Sequence, residues 1–323
     1  MMISIIIVNW NTRDLLLQCI ESLYKDNGIS KREIIVVDNA SSDGSAEAVS
    51  ASFPSVKLIV NERNLGFAAA NNIGANAASG NVLVFLNPDT IVEPGTIDAL
   101  FEFLDRNPNA GVIGCRIVNS NGHTEQTYWT SFPDLNWLFR EATYLNKISN
   151  ARQRSISFDE PVQVAHLLGA CIAIRSELFR EVGGFDERYF LYMEETDLCW
   201  RVQALGKRNY YHPAVKITHL GQQSSKQAAH WTNVQLQLST YAFLRRNHSM
   251  GPIKRIVALL AMQIGALIRL VLWQIRWIQG RRPRCDSLLM IRGYARLLLA
   301  VFSFETIVSR ALRENRPIKI ESG

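Results

Sequence analysis

Residues 81–90 read Asn-Val-Leu-Val-Phe-Leu-Asn-Pro-Asp-Thr (NVLVFLNPDT), and this stretch decides the fold. Val82 to Leu86 is apolar without alternation, the pattern of a strand buried on both faces in a parallel sheet covered by helices. Pro88 lacks an N–H and ends the strand. Asp89 is thereby expected at the carboxyl end of a buried strand, the edge of an open α/β sheet where ligands bind. Taken alone, Asn-Pro-Asp reads more readily as the start of a turn, and the rest of the chain reverses that preference.

Working outward, the same alternation of strand and helix repeats. Ile3–Val8 (ISIIIV) reads as the first strand. Asn9-Trp10-Asn11-Thr12 follows, with Asn11 or Thr12 as cap of a helix over Arg13–Tyr24. Glu33–Val37 is a second strand, ending in the polar loop Asp38–Ser45 before a helix over Ala46–Ser52. Val56–Val60 is a third, and residues 61–78 hold a Gly-punctuated helical stretch. The order β-α-β-α-β-α-β predicts a doubly wound, mainly parallel sheet. A dinucleotide-binding domain has that order too, with Asp38 at the ribose-binding position. Its first turn, however, needs the glycines of G-x-G-x-x-G, and this chain has Asn-Trp-Asn-Thr there.

Beyond Asp89, a helix is expected over Thr96–Arg106 and a strand around Val112–Val118. Residues 119–165 read as irregular, with Trp129, Phe132, Trp137, Phe139 and Tyr144 either lining a sugar site or plugging the core beneath a loop. Val164–Ile174 is a further apolar run, interrupted at Gly169 by a bulge or close backbone approach. After a helix over Ser176–Val182 come Gly183-Gly184-Phe185-Asp186-Glu187 and the acidic cluster Glu194-Glu195-Thr196-Asp197. These carboxylates either cap a helix or do chemistry, and a helix opened by Glu195 would favour its ionised form. Lys216–Leu220 reads as a short strand carrying His219, followed by a polar loop, Gly221–Ser225, suited to phosphates.

Composition bounds the class. The chain has 323 residues, 47% apolar and 20% charged, as in a globular protein with one large or two modest domains. Cysteines at 19, 115, 171, 199 and 285 have neither metal-ligand spacing nor an even count, which points to a reducing compartment. The chain enters its first strand with no basic leader, so no signal peptide is expected. The net charge of +6 is divided unevenly. Residues 1–244 carry 20 Lys+Arg and 25 Asp+Glu, a net of −5, while residues 245–323 carry 15 and 4, a net of +11. The basic tail calls for an anionic surface, lipid or nucleic acid.

In order and spacing, the opening strand, VVDNASSDGS at 36–45, NLGFAAANNIG at 64–74, NPDT at 87–90, GGFDERYFLYMEETDLCWR at 183–201 and HLG at 219–221 resemble a family-2 inverting glycosyltransferase of the GT-A fold. The likeness covers about residues 3–230, and within the family it is nearest the rhamnosyltransferase-like enzymes of cell-envelope polysaccharide assembly. It implies a GT-A catalytic domain over 1–245, with a nucleotide-sugar half (1–118) and an acceptor half (119–245). It also implies roles. Asp38 would contact the base or ribose in a pocket that includes Asn9, with Gly66 and Asn71 on its second wall. Asp89 matches the last Asp of the family's Asp-x-Asp motif and would hold Mg²⁺ or Mn²⁺ on the donor diphosphate. Asn87 stands where that motif has its first Asp, so its contribution would run through water or the sugar. His219 would complete the metal or diphosphate site. Glu195 matches the second residue of the family's Glu-Asp pair, the general base, one methylene longer than the family's Asp; Asp197 is the other candidate.

The chemistry needed agrees with these residue types. A divalent cation takes carboxylate oxygens and stabilises a leaving diphosphate. A carboxylate within hydrogen-bond reach of an acceptor hydroxyl serves as base, and one displacement inverts the anomeric carbon without a nucleophilic carboxylate. The expected donor is dTDP-rhamnose and the acceptor a glycan or polyprenyl-diphosphate-linked glycan. Another nucleotide sugar, or a non-catalytic nucleotide- or carbohydrate-binding scaffold, are the alternatives.

The tail, residues 246–323, is expected to be a basic helical region. Ile256–Ile275 is long enough to span a membrane, but Arg269 lies inside it. On a helical projection Arg255, Arg269 and Arg276 fall within about 60°. That stripe predicts an interfacial helix with its arginines at the headgroups, and Leu288–Phe302, with Arg292 and Arg296, repeats it around Arg281-Arg282-Pro283-Arg284. The expected place is the cytoplasmic face of the cell membrane, peripherally bound to anionic lipid. A soluble helical subdomain is the alternative. Nucleic acid is not expected, because the cations are embedded in apolar helices.

Overall fold

The structure is a computed structural model that describes residues 2–26, 28, 30–142, 160–220, 229–279 and 284–319, complete but for the side chains of 229–231, 284–287 and 289. The chain forms two compact units. The first comprises Met1–Phe132, Ser157–Asp186 and Glu194–Ser224; the second, Pro133–Ile156, Glu187–Met193 and Ser225–Gly323.

The first unit is built on a nine-stranded sheet. Its main path runs β3 (Lys57–Val60), β2 (Lys31–Asp38), β1 (Met2–Asn9), β4 (Val82–Leu86), β10 (Cys171–Arg175), β6 (Ala110–Asn119), β11 (Arg208–His219) and β5 (Thr90–Val92). β8 (Val162–Val164) pairs with β11 beside that path. β3, β2, β1 and β4 are mutually parallel. β10 is antiparallel to both β4 and β6, and β6 is parallel to β11. Six strands therefore point one way and the sheet is mixed but mainly parallel, as the sequence predicts.

The unbroken apolar runs have a direct cause. Ile3, Ile5 and Ile7 of β1 pack with Leu16, Cys19 and Ile20 of α1 (Arg13–Lys25). Ile6 and Val8 pack on the other face with Ala68 and Ala70 of α3 (Phe67–Ala77). Successive side chains enter opposite cores, so neither face can be polar. Each buried aliphatic contributes about 1.5–3 kcal/mol. The small residues of α3 let it lie close: a Cβ on Gly74 would stand 2.5 Å from Ile6 Cγ2. The remaining helices of this unit are α2 (Ser45–Ser52), α4 (Thr96–Arg106), α6 (Ser176–Glu181) and α7 (Glu194–Ala204).

Several expectations need correction. The apolar run 164–174 is three pieces, and the interruption expected at Gly169 is a full turn rather than a bulge: the end of β8, then β9 (His166–Leu167), then β10 after a turn at Gly169-Ala170. β9 leaves the main sheet and pairs with β7 (Tyr128–Trp129). The short strand expected over Lys216–Leu220 is the end of β11, twelve residues long. Pro213 hid its first half. It lies where the β6 register shifts between His212 and Lys216, and the far edge of β11 is taken by β8 before it and β5 after it. Residues 119–165 hold β7, α5 (Leu135–Ala142) and β8; Tyr144 lies outside the described residues, as do Gly221–Ser225 and Arg281-Arg282-Pro283.

The second unit is helical: α5, α8 (Ala229–Asn247), α9 (Pro252–Ile278) and α10 (Arg284–Glu314). The boundary expected at residue 245 falls inside α8, which belongs wholly to this unit together with α5 and Glu187–Met193. The tail arginines also differ from expectation. Arg269 Nη2 donates to Glu141 Oε1 at 3.0 Å and to the Glu141 carbonyl at 2.8 Å. Arg255 and Arg245 both pair with Glu305 Oε1, at 3.3 and 3.4 Å, and Tyr241 donates to the same carboxylate. Arg255 and Arg269 therefore hold the helices together rather than facing headgroups. A buried cation left unpaired is costly, which directs them inward to the two carboxylates.

Candidate functional site

All the expected site residues lie in the first unit, most of them at the carboxyl ends of its parallel strands. Asn9 ends β1 and Asp38 ends β2, in register as neighbours. Both are buried. Asn9 Nδ2 donates to Asp38 Oδ1 at 3.0 Å and to Ser41 Oγ at 3.1 Å, and Thr12 Oγ1 donates to Asn9 Oδ1 at 2.6 Å. Ser41 N donates to the other Asp38 oxygen at 2.9 Å. Thr12 does not cap α1; the carboxylate of Asp43 accepts from Arg13 N instead, at 2.9 Å. Asn11 and Ala40, in the two loops, have φ of 54° and 64°. A left-handed alanine costs on the order of 1 kcal/mol, and such strain gathers at ligand-binding loops.

Asn39, which the sequence reading passed over, ties this end of the sheet together. Its Nδ2 donates to Asn64 Oδ1 at 2.9 Å and to the Gly66 carbonyl at 3.3 Å. Its Oδ1 accepts from Asn61 Nδ2 and Leu65 N. All four hydrogen-bonding positions of the amide are filled. Gly66, at φ +89°, leads into α3 where a side chain would be strained. Asn71 is buried, its amide donating to the Phe67 carbonyl one turn back.

Asn87, Pro88 and Asp89 follow β4. Asn87 N donates to the Ala170 carbonyl at 2.9 Å, and Thr90 Oγ1 donates to the Asn87 carbonyl at 2.7 Å. Pairing of β5 with β11 sets His219 opposite Thr90, and Leu220 N donates to the Asp89 carbonyl. Asp89 Oδ1 and His219 Nε2 thus stand 3.2 Å apart, with Glu125 Oε2 at 3.7 Å from Nδ1. Burial pulls the imidazole pKa down, but the hydrogen bond and charge of Asp89, then Glu125, hold it above the ordinary value.

Among the described residues, no three His, Cys, Asp or Glu side chains are placed to hold a metal ion by themselves. Asp89 and His219 offer one carboxylate oxygen and one imidazole nitrogen. That donor pair fits a divalent cation whose other ligands come from phosphate oxygens, and its nitrogen suits Mn²⁺ better than Mg²⁺. Glu125, unmarked in the sequence reading, sits behind the imidazole in the position of a partner that fixes a ligating histidine.

The acidic cluster begins α7. Glu194, not Glu195, opens the helix. Tyr192 and Met193 before it have φ of 68° and 70°, two successive strained residues. Asp197 is fully buried and accepts from Arg201 Nε at 2.7 Å; Arg201 Nη1 donates to the Val182 carbonyl. Glu194 and Glu195 each keep Oε2 buried without a hydrogen-bond partner. Burial, and then the charge of Glu195, hold the Glu194 carboxyl well above the carboxylate range. Burial also raises Glu195, opposed by backbone hydrogen bonds at Glu195, Thr196 and Gly169. Glu195 packs on Gly169, where an added Cβ would lie 3.4–3.6 Å from its side-chain carbons. The turn that touches Glu195 at Gly169 thus also binds Asn87 through Ala170.

Beside this turn is an aromatic stack absent from the sequence reading in this form. The His166 ring lies parallel to Trp129, centroids 4.7 Å apart, with Phe132 at 5.6 Å. Phe132 meets Trp200 edge-on, and His166 Nδ1 is 3.4 Å from Thr196 Oγ1. Burial lowers the His166 pKa to about 3, so the imidazole is neutral. Trp137 and Phe139, expected alongside, lie on α5 in the other unit.

Residues 4–183 match the family model described as Glycosyl transferase family 2. The chain is 31% identical over 241 residues to the N-acetylglucosaminyl-diphospho-decaprenol L-rhamnosyltransferase of Mycobacterium tuberculosis, covering 67% of this chain and 75% of that protein. It is 28% identical over 206 residues to a low-salt glycan biosynthesis hexosyltransferase of Haloferax volcanii, covering 62% and 61%. Among solved structures, a mannosyltransferase from Pyrobaculum calidifontis in complex with GDP-Man and Mn²⁺ aligns with a TM-score of 0.54 at 17% identity, over 94% of this chain and 86% of that one. The GalNAc-T7 structure with UDP, GalNAc and Mn²⁺ aligns with a TM-score of 0.53 at 18% identity, over 79% of this chain and 53% of that one. Both likenesses carry the GT-A fold.

Proposed function

The chain belongs to glycosyl transferase family 2, and from that premise we propose that it is a metal-dependent inverting transferase moving L-rhamnose from dTDP-rhamnose to a polyprenyl-diphosphate-linked glycan at the cytoplasmic face of a membrane. The name of the M. tuberculosis relative, a rhamnosyltransferase with a lipid diphosphate acceptor, supports the sugar and acceptor class. The observation that carries the reading is the Gly169-Ala170 turn, which contacts both Glu195 and the chain at Asn87.

In this reading the nucleoside of the donor lies over the ends of β1 and β2. Asn9 and Asp38 recognise it, and Asn39 holds Gly66 and the entry to α3 as the second wall, with Asn71 behind it. Asp89 and His219 would hold Mn²⁺ or Mg²⁺, which would supply charge neutralisation to the leaving diphosphate. Asn87 orients the sugar or a water beside it. Glu195 takes the proton from the acceptor hydroxyl at its carboxylate. Burial raises its pKa above the ordinary carboxylate value, which makes it a stronger base than an exposed glutamate. Asp197 fixes Arg201 and the first turns of α7, and so positions Glu195. The attack breaks the bond from the anomeric carbon to the diphosphate and inverts that carbon.

The test is transfer from a panel of nucleotide sugars to a polyprenyl-diphosphate N-acetylglucosamine acceptor with Mn²⁺, read as product and as nucleoside diphosphate released. Release with dTDP-rhamnose that requires acceptor is expected. Turnover with a different sugar would correct the donor. Binding without turnover by any donor would favour a non-catalytic scaffold.

A further inference from the structure

The inward turn of Arg255 and Arg269 leaves the opposite face of α9 without charge. Ile253, Leu260, Ile264, Leu267, Val271 and Ile275 are 43–78% exposed. At 100° per residue they fall in an arc about 80° wide, and at 1.5 Å per residue they form a ridge about 33 Å long. The inner face of the helix is satisfied by protein: Ala258, Ala261, Met262 and Ala266 are buried, Gln263 Nε2 donates to the Leu298 carbonyl of α10, and Arg269 pairs with Glu141 of α5. Near that crossing on α10, Leu299 and Phe302 are also exposed.

We propose that this uncharged ridge of α9 is the surface by which the protein lies on a membrane, inserted side-on into an anionic leaflet. It gives the membrane location in the proposed function a physical site, and it rests on that location but not on the donor or the catalytic residues.

Three features select this occupant. A continuous apolar stripe of this size on an otherwise paired helix marks an interaction surface. Lys254 is exposed beside the stripe at its start, and the last turn of the helix, off the stripe, carries exposed Arg276 and Trp277, with the Arg276 guanidinium 5.1 Å from the Trp273 ring centroid. Tryptophan and a basic rim suit the headgroup boundary, and the net charge of +11 over residues 245–323 is complementary to anionic lipid. α9 is also the one helix among the described residues long and apolar enough to cross a bilayer. A crossing, however, would carry into the hydrocarbon the Arg269–Glu141 pair that ties it to α5 and the charged α10 packed along it, which includes Arg292, Arg296 and Glu305.

The test is flotation of the full chain with vesicles of phosphatidylcholine alone or mixed with phosphatidylglycerol, at low and high salt. One flanking cation, Lys254, near an anionic surface predicts about fivefold tighter binding to the mixed vesicles, reduced but not abolished by salt. L260E/L267E is expected to reduce flotation more than about tenfold, since two buried leucines are lost. Its thermal transition and its transfer to a detergent-free, water-soluble acceptor should be unchanged, because both positions are exposed. L260A/L267A, which adds no charge, should show a smaller loss in the same direction. Flotation without transfer would count against the catalytic reading alone. Absence of flotation by the wild-type chain, equal binding to neutral and anionic vesicles, unchanged flotation of L260E/L267E, or a ridge-dependent dimer in place of vesicle binding would each overturn the proposal. So would resistance of the bound wild-type protein to alkaline extraction, the mark of a span.

Discussion

Asp197 accepts a hydrogen bond from Arg201 Nε at 2.7 Å, one helical turn along α7, and the same guanidinium is held by the Val182 carbonyl. That carboxylate oxygen is committed to the guanidinium. Glu195, two residues earlier and so on a different face of the helix, keeps a buried oxygen without such a partner. In the proposed mechanism the pair divides accordingly into a base, Glu195, and a positioning residue, Asp197.

Glu195→Gln is accordingly expected to lower kcat by about 10²–10⁴-fold with donor binding nearly unchanged. Asp197→Asn should cost about 1–3 kcal/mol of stability with a much smaller loss of kcat, since Asn still accepts from Arg201. The wild-type rate should rise with pH through a limb above the ordinary carboxylate range, because burial raises Glu195 and only the ionised form accepts the proton. Steady-state kinetics of both variants across pH decide it. A dead Asp197→Asn beside an active Glu195→Gln would reverse the assignment.

Asp89 and His219 meet because β5 folds back on β11, and in the proposed site each would supply one donor atom. Removal of either should leave too few protein ligands. Cation stabilisation of the leaving group is worth several kcal/mol. Asp89→Ala and His219→Ala should therefore each lose at least about 10²-fold in turnover and weaken nucleoside diphosphate binding in calorimetry. EDTA should silence the wild-type enzyme, with Mn²⁺ restoring it. Full turnover in EDTA would remove the metal from the mechanism.

Asn39 joins the end of β2 to residues 61–66 through four hydrogen bonds. Asn39→Ala would strand several buried polar groups, at roughly 1–3 kcal/mol each where no water replaces the amide. A clear fall in Tm is expected, together with a rise in donor KM that exceeds the fall in kcat. Unchanged Tm and KM would mean that the loop does not depend on this amide.

What could be read from the sequence was what a short run of residues encodes. Val82–Leu86 and Ile3–Val8 declare buried strands because both of their faces meet helices. Pro88 declares the strand end, and with it the place of Asp89. What failed to show depended on partners distant in the chain. β10 runs against its neighbours, which no local pattern states. Pro213 disguised β11, since a register shift accommodates it. Arg269 looked like a headgroup anchor until Glu141, 128 residues earlier, took its charge. Asn39 and Glu125 were passed over because a single amide or carboxylate carries no signal of what will surround it. His166 was the one missed residue with a local sign, an imidazole inside an apolar run.

Glu194 provides the last prediction. It is almost fully buried, its Oε2 has no partner, and burial followed by the Glu195 charge raises its pKa well above the usual value. A carboxyl whose folded pKa exceeds its unfolded pKa binds more protons in the folded state between the two values. Its stability contribution is thus complete below the unfolded pKa, about 4.3, and is lost as pH rises through the folded pKa. Glu33 and Asp43, whose pKa values are lowered, impose the opposite trend as pH falls through their range. The difference between variant and wild type cancels that background. Glu194→Gln has no proton to lose, so its Tm relative to wild type should increase from pH 4 to pH 8. Differential scanning calorimetry at both ends of that range measures it. A constant difference, or a Gln variant less stable relative to wild type at pH 8 than at pH 4, would show that Glu194 finds a counter-charge in solution.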